Sequence, residues 1–152
     1  DLSKLIQESV ALSTAMANKK KIDLVVINDN LHSIVKTDVN MVSTILRNLI
    51  NNAIKFSHHD SQVFIELKRE IGNFIIAIKD QGLGMNNFTK KNLFNLSVKT
   101  TQPGTMKELG SGLGLLLCKE FIDQLDEKLW IESTVNQGTT ISFSITSNQE
   151  NV

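Results

Sequence analysis

The chain has 152 residues, 41% of them hydrophobic and 21% charged, an ordinary globular composition for one domain that can bury about 70% of its unfolded surface. Lys+Arg and Asp+Glu both number 16 and aromatics reach only 5%, so neither the charge nor the stacking surfaces of a nucleic-acid binder are present. One cysteine excludes a disulfide framework and a cysteine-based metal site, no apolar run reaches the ~18 residues of a membrane span, and the N-terminus lacks a signal peptide's basic and apolar regions. A cytoplasmic setting is expected. The chain opens at Asp1 in helical-looking sequence, as a piece cut from a longer protein would.

In chain order, residues 2–19 predict a helix, with Leu2, Leu5, Ile6, Val10, Ala11 and Leu12 near the 3.6 period. Residues 22–28 predict a strand rich in branched apolar residues. A polar link follows, with room for a short strand at Ser33 to Lys36. Thr37 and Asp38 are N-cap candidates for a long helix over 39–57, whose apolar stripe is Val42, Leu46, Leu49 and Ala53. Residues 62–70 and 73–80 predict a hairpin joined through Gly72-Asn73. A loop, a short helix near 87–95 and a long segment over 97–110, containing the only proline, Pro103, come next. A structureless stretch that long inside a domain is usually functional or mobile. A helix over 112–125 and strands over 128–134 and 139–146 complete the order. Adjacent strand pairs imply an α+β fold: a two-layer α/β sandwich with a mixed, mostly antiparallel sheet covered on one face by three helices.

Three constellations carry chemistry. Asn48, Asn52 and Lys55 fall within about 60° of one another on the long helix, away from its apolar stripe. Two amides and an ammonium in line can bind a ligand rich in oxygens together with a hard metal ion; the alternative is a solvated helix face. Asp80-Gln81-Gly82-Leu83-Gly84 offers a carboxylate at a strand end beside a backbone that a ligand can approach closely, or else is a plain glycine-rich turn. Gly110-Ser111-Gly112-Leu113-Gly114 opens a helix, where unshielded N–H groups and the helix dipole favour an anion such as phosphate; the alternative is a glycine-rich cap. Its spacing matches neither a P-loop, which needs Lys-Ser/Thr after the last glycine, nor the dinucleotide-binding pattern.

In this order the three resemble the catalytic and ATP-binding domain of sensor histidine kinases, within the wider GHKL group of gyrase, histidine kinase, chaperone and mismatch-repair ATPases. Asp38 to Ser57 resembles the N box, Asp80 to Gly84 the G1 box, Leu93-Phe94-Asn95 the F box and Gly110 to Leu115 the G2 box. Gly138-Thr139-Thr140-Ile141-Ser142-Phe143 is similar to the closing strand. The resemblance covers essentially the whole chain. It implies ATP and Mg²⁺ as ligands, with Asn52 on the metal and Asn48 reaching the phosphates or the metal's waters. It further implies Lys55 on phosphate, Phe56 packed on adenine, Asp80 accepting from the adenine amino group and Thr140 helping to hold the base. Gly84 gives room beside the adenine, and Gly82 lies in the same box. Gly110, Gly112, Leu113 and Gly114 shape the phosphate side. Residues 95–110 would be the ATP lid, with Lys99 and Lys107 as lid cations.

Asn48 separates mechanisms. Members of the group that hydrolyse ATP carry a general-base glutamate four residues before the metal-binding asparagine, and an amide cannot accept a proton from water. The resemblance therefore implies phosphotransfer, with Asn48 and Lys55 as the catalytic pair, to a histidine on a separate dimeric helical domain. That domain would precede this chain, with residues 1–20 as the junction. His32, His58 and His59 do not resemble the acceptor; His58-His59 suit the dipole at a helix C-terminus. A response-regulator receiver domain is the implied downstream partner, and the chain alone is expected to be monomeric. The competing expectation is a degenerate nucleotide-binding or regulatory module without phosphotransfer. Away from the site, Asp126-Glu127 replaces the glycine pair usual before the penultimate strand, Cys118 is expected to pack as a small hydrophobe, and Trp130 to lie on a strand face.

Overall fold

The computed structural model describes residues 1–28, 32–108 and 110–147. The first helix, α1 (Leu2–Lys19), is capped by Asp1, whose carboxylate accepts the Lys4 N–H at 3.2 Å. Its buried face is Leu2, Leu5, Ile6, Ser9, Ser13 and Ala17, whereas Leu12 is exposed. The small residues of this face meet the second helix, and Ser9 and Ser13 satisfy their hydroxyls on Leu5 O and Asn51 Oδ1. A sequence stripe that favoured large apolar side chains therefore misplaced the second half of α1.

Strand β1 (Asp23–Asn28) follows, then helix α2 (Val39–Phe56), capped by Asp38 on the Met41 N–H at 2.9 Å. No strand forms over Ser33 to Lys36. Ser33 is instead buried beneath the start of α1, where its carbonyl accepts the Leu2 N–H and its hydroxyl the Ser3 N–H. Helix N-termini leave free donors, and this segment supplies their acceptors.

Strands β2 (Gln62–Glu70) and β3 (Asn73–Lys79) form the expected hairpin, with Ile71-Gly72 as the turn and Asn73 already paired to Glu70. Helix α3 (Asn87–Asn92) is short and buries no side chain. Helix α4 (Gly114–Gln124), β4 (Leu129–Thr134) and β5 (Gly138–Thr146) complete the chain. The sheet order is β1-β2-β3-β5-β4, antiparallel except for the parallel β1–β2 pair.

Cross-strand partners put Ile65, Ile78 and Ile141 in one row and Leu67, Ile76 and Phe143 in the next, all buried on one face. Helix α2 lies in the middle of the layer covering that face, burying Val42, Ile45, Leu46, Leu49, Ile50, Ala53 and Ile54. Helices α1 and α4 flank it, the latter through Cys118 and Ile122. This is the expected sandwich. Burial pushes the Cys118 thiol up to about 12, in keeping with a packed, inert side chain. Among the described residues, none between Ile78 and Cys118 joins the buried apolar core. No helix of the described residues is long and apolar enough to cross a membrane.

Candidate functional site

The coreless stretch lies over the polar stripe of α2. There Asn48, Asn52, Lys55 and Phe56 line a cleft of about 270 Å³, together with Asp80, Gly84, Gly110, Gly112 and Gly114. Three segments distant in sequence thus meet at one concavity. Asn48 donates through Nδ2 to Thr44 O at 2.9 Å, which turns its Oδ1 toward the start of α4. A Cβ on Gly114 would stand 3.0 Å from that oxygen, so the glycine keeps the helix start open beside an amide acceptor. Lys55 Nζ lies 5.0 Å from the centroid of the Phe56 ring and abuts Gly110. A cation held over an aromatic face at the mouth of a glycine-rich helix start is placed to meet an anion.

At the other end, Asp80 follows the last residue of β3 and is 7% exposed. Both of its backbone donors fall on one oxygen: Gly82 N–H at 2.9 Å and Thr139 N–H at 3.3 Å reach Oδ1. The second oxygen accepts neither of them. Burial raises the carboxyl from the ordinary 3.8 to about 6, against the opposing pull of those two N–H groups and the His58 charge. Loop glycines fit this corner tightly. A Cβ at Gly82 would run into the Phe56 carbonyl, and one at Gly84, whose φ is +65°, into the Thr134 carbonyl.

Four residues expected at the site lie outside the cleft lining. Gly82 is buried behind it and contributes its N–H to Asp80. Lys99 and Leu113 are exposed to solvent. Thr140 pairs with Lys79 and faces the opposite side of the sheet from Ile141, so it cannot reach the cleft; Thr139 lines it instead. Strand alternation was the signal available: Ile141, Phe143 and Ile145 point inward, which puts Thr139 and not Thr140 on their side. Lys107, the other cation expected of a lid, is also exposed.

The cleft also recruits residues to which no individual role was assigned. Met16 and Asn51 bring α1 and the flank of α2 to its wall, with the Asn51 Oδ1 accepting from Ser13 Oγ at 2.9 Å. Thr100, Thr101 and Gln102 bring the middle of the segment expected to be a lid. The cation at the C-terminus of α2 is also not the expected one. His58 and His59 are exposed, and the ammonium of Lys20 occupies the position.

The donor chemistry of the cleft fits a hard metal ion. Asn48 and Asn52 offer amide oxygens on one side of the cleft, the hard donors that Mg²⁺ takes alongside water and phosphate. No group of three or more His, Cys, Asp or Glu side chains suited to a metal occurs among the described residues.

Comparison with known proteins shows the family and the fold. The family model described as histidine kinase-, DNA gyrase B-, and HSP90-like ATPase matches residues 37–149. The sensor histidine kinase WalK of Bacillus subtilis (strain 168) is 30% identical over 118 residues, 76% of this chain and 19% of WalK. The histidine protein kinase SaeS of Staphylococcus epidermidis is 31% identical over 106 residues, 68% of this chain and 30% of SaeS. The chain thus spans less than a third of the length of these curated relatives. Among solved structures, the nucleotide-free catalytic domain of histidine kinase ThkA superposes with a TM-score of 0.83 at 26% identity, covering 97% of this chain and 93% of that one.

Proposed function

This chain belongs to the histidine kinase-, DNA gyrase B-, and HSP90-like ATPase family, as a histidine kinase-type catalytic domain, and from that premise we propose that it binds ATP with Mg²⁺ and transfers the γ-phosphoryl group to a histidine on a separate helical domain. One observation carries the reading. A buried carboxylate with an oxygen to spare and an amide–ammonium line at a glycine-rich helix start share a single cleft.

In this reading the second oxygen of Asp80 accepts from the adenine amino group, while guanine would present a carbonyl there and be repelled. Thr139, in place of the Thr140 that the resemblance implied, helps to hold the base. Phe56 packs along the base, and Ile78 and Ile141 close the wall behind it. Gly110, Gly112 and Gly114 keep the start of α4 open to phosphate, and Lys55 neutralises phosphate charge. Asn52 and the Oδ1 of Asn48 would hold Mg²⁺ or its waters, and the ion, when bound, would offset charge on the phosphates.

Phosphoryl transfer asks the protein chiefly for positioning and charge stabilisation. The bond from the γ-phosphorus to its bridging oxygen breaks, a phosphorus–nitrogen bond to the acceptor imidazole forms, and ADP leaves. Asn48 stands where a water-activating base would be and cannot take a proton, which keeps hydrolysis slow. The acceptor imidazole and the base that takes its proton belong to the partner domain. Residues 1–20 are the junction to that domain, and residues 95–110 the lid. A response-regulator receiver domain is the phosphoryl group's next acceptor, and the domain works in the cytoplasm.

Calorimetric titration with ADP and a non-hydrolysable ATP analogue, with and without Mg²⁺ and with GTP as control, tests the reading. Adenine-selective, Mg²⁺-assisted binding is expected, followed by phosphorylation of a supplied helical acceptor domain. A folded sample that binds no nucleotide at millimolar concentration would refute it.

A further inference from the structure

The buried ammonium of Lys20 ties together three parts of the molecule. The residue is 2% exposed, at the end of α1. Its Nζ donates to the carbonyls of Ile54 at 3.0 Å, Lys55 at 2.8 Å and Ser57 at 3.1 Å, at the C-terminus of α2 where helix carbonyls run short of intrahelical donors. Its remaining neighbour is Glu108 of the lid, with Nζ to Oε1 at 2.9 Å. The other oxygen of Glu108 accepts the Met106 N–H at 2.9 Å, and the Glu108 carbonyl accepts the Gly104 N–H at 3.0 Å, so residues 104–108 form a turn closed on the ion pair. Thr105 fastens the same turn to α2 a second time, through its N–H to Lys55 O and its hydroxyl to Ser57 O. Gly104 sits so close to Lys55 that a Cβ there would meet both its carbonyl and its stem.

The consequence falls on the site. The turn packs against the backbone and stem of Lys55, and two residues past its end Gly110 abuts the Lys55 ammonium. The geometry points to Glu108 and Lys20 as positioning residues: their bridge anchors the lid to the α1–α2 junction and thereby sets the phosphate-dependent part of nucleotide affinity, leaving base recognition at Asp80 untouched. The lid's grip on phosphate also becomes a property of where α1 ends, since Lys20 leaves with α1 if that helix is displaced. This inference rests on the nucleotide-binding reading above. Glu108 is charged at neutral pH: burial pushes its carboxyl up, but the Lys20 hydrogen bond, the backbone N–H groups and the Lys20 charge hold it below the ordinary value.

Glu108→Gln is the informative variant, because the side chain is partly exposed and its loss leaves Lys20 on three carbonyls. Adenosine, ADP and the non-hydrolysable ATP analogue are titrated against the wild-type chain and this variant. The expected result is unchanged adenosine binding with the analogue weakened roughly tenfold, and faster amide exchange over 104–110. Thr105→Val, which keeps the ion pair, is expected to give the same pattern more weakly. Equal weakening of adenosine and the analogue, or no change in either, overturns the inference while the nucleotide-binding reading stands. Absence of all binding by the wild-type chain overturns both.

Discussion

The two ends of the cleft are built differently. At the base end, Asp80, Thr139, Ile78 and Ile141 sit on or beside the paired central strands β3 and β5, with the Asp80 N–H donating to Thr139 O and Thr139 N–H returning to the carboxylate. At the phosphate end, no described residue of the 95–117 stretch belongs to the buried core, and the segment proposed as the lid is held to α2 at the turn 104–108. A site carried by the sheet exists before any ligand arrives; a loop with few buried contacts opens locally at little cost. Under the proposed function, base recognition is therefore preformed, and phosphate recognition is completed around the ligand. Changes at the base end should move selectivity and folding, whereas changes at the phosphate end should move affinity for charged ligands alone.

Asp80→Asn tests this most sharply. The two N–H groups on Oδ1 would force the amide oxygen into that position and turn the NH₂ toward the ligand. A donor would then face the adenine amino group, so adenine nucleotide binding should fall by about 100-fold, and GTP, with a carbonyl there, should gain relative to ATP. The same change should stabilise the ligand-free fold. A carboxyl raised from 3.8 to about 6 binds protons more tightly folded than unfolded, which costs about 3 kcal/mol at neutral pH. Titration of both nucleotides and chemical denaturation check the two halves. A variant that loses both binding and stability would show Asp80 to be a structural residue.

Glycine substitutions should separate the ends next. Gly82→Ala drives a Cβ into the Phe56 carbonyl, a backbone atom that cannot step aside, and should lower stability by about 2 kcal/mol or more. Gly110→Ala meets only the tip of Lys55, a flexible side chain, and should change stability by less than about 0.5 kcal/mol. It should weaken the ATP analogue several-fold and spare adenosine. Denaturation midpoints beside the two titrations measure the contrast, and a large stability loss in Gly110→Ala would abolish it.

Acidity acts on the base end with a definite sign. Because the folded carboxyl of Asp80 titrates near 6, nucleotide affinity should fall as pH drops through that value, by up to about tenfold per unit below it. Ligand-free stability should run the other way over the window from about 4 to 6, since the folded state there holds the extra proton and loses stability as pH rises. In Asp80→Asn both dependences should disappear. A pH profile unaltered by the substitution would place the titrating group elsewhere.

These contrasts also explain what was legible in the sequence. The long helix, the two hairpins and the three box motifs were readable because periodicity, caps and glycine spacing are local signals. The joint order of Asn48, Asp80 and Gly110 pointed to one cleft because each carried unusual local chemistry. Lys20 carried none; only the end of α2, 34 residues away along the chain, makes it a cap, and a lysine beside two others reads as solvated surface. Ser9 and Ser13 were hidden for a similar reason, since their burial depends on how closely α1 meets α2. Asp126 adopts φ +57° in a turn where related chains were expected to need glycine, and Glu127 bonds Ser144 Oγ and Thr146 N–H, so the fold accommodates this departure with local polar contacts.

The smallest effect concerns adjacent threonines and is the most discriminating about register. Thr139 faces the cleft, with its hydroxyl 2.8 Å from Ser133 Oγ; Thr140 pairs with Lys79 and Glu132 on the far face. Thr139→Val keeps the backbone N–H to Asp80 and the side-chain shape, removing only the hydroxyl, so adenosine and ADP should each weaken a few-fold and by the same factor. Thr140→Val should leave both unchanged. A one-residue slip of β5 would exchange the two results and would also turn Ile141 and Phe143 out of the core, so it should be visible as a loss of stability in the wild-type chain. If Thr140→Val were the variant that weakened adenosine while the fold stayed intact, the base would contact the sheet from its open face, and the preformed adenine end described above would be misplaced.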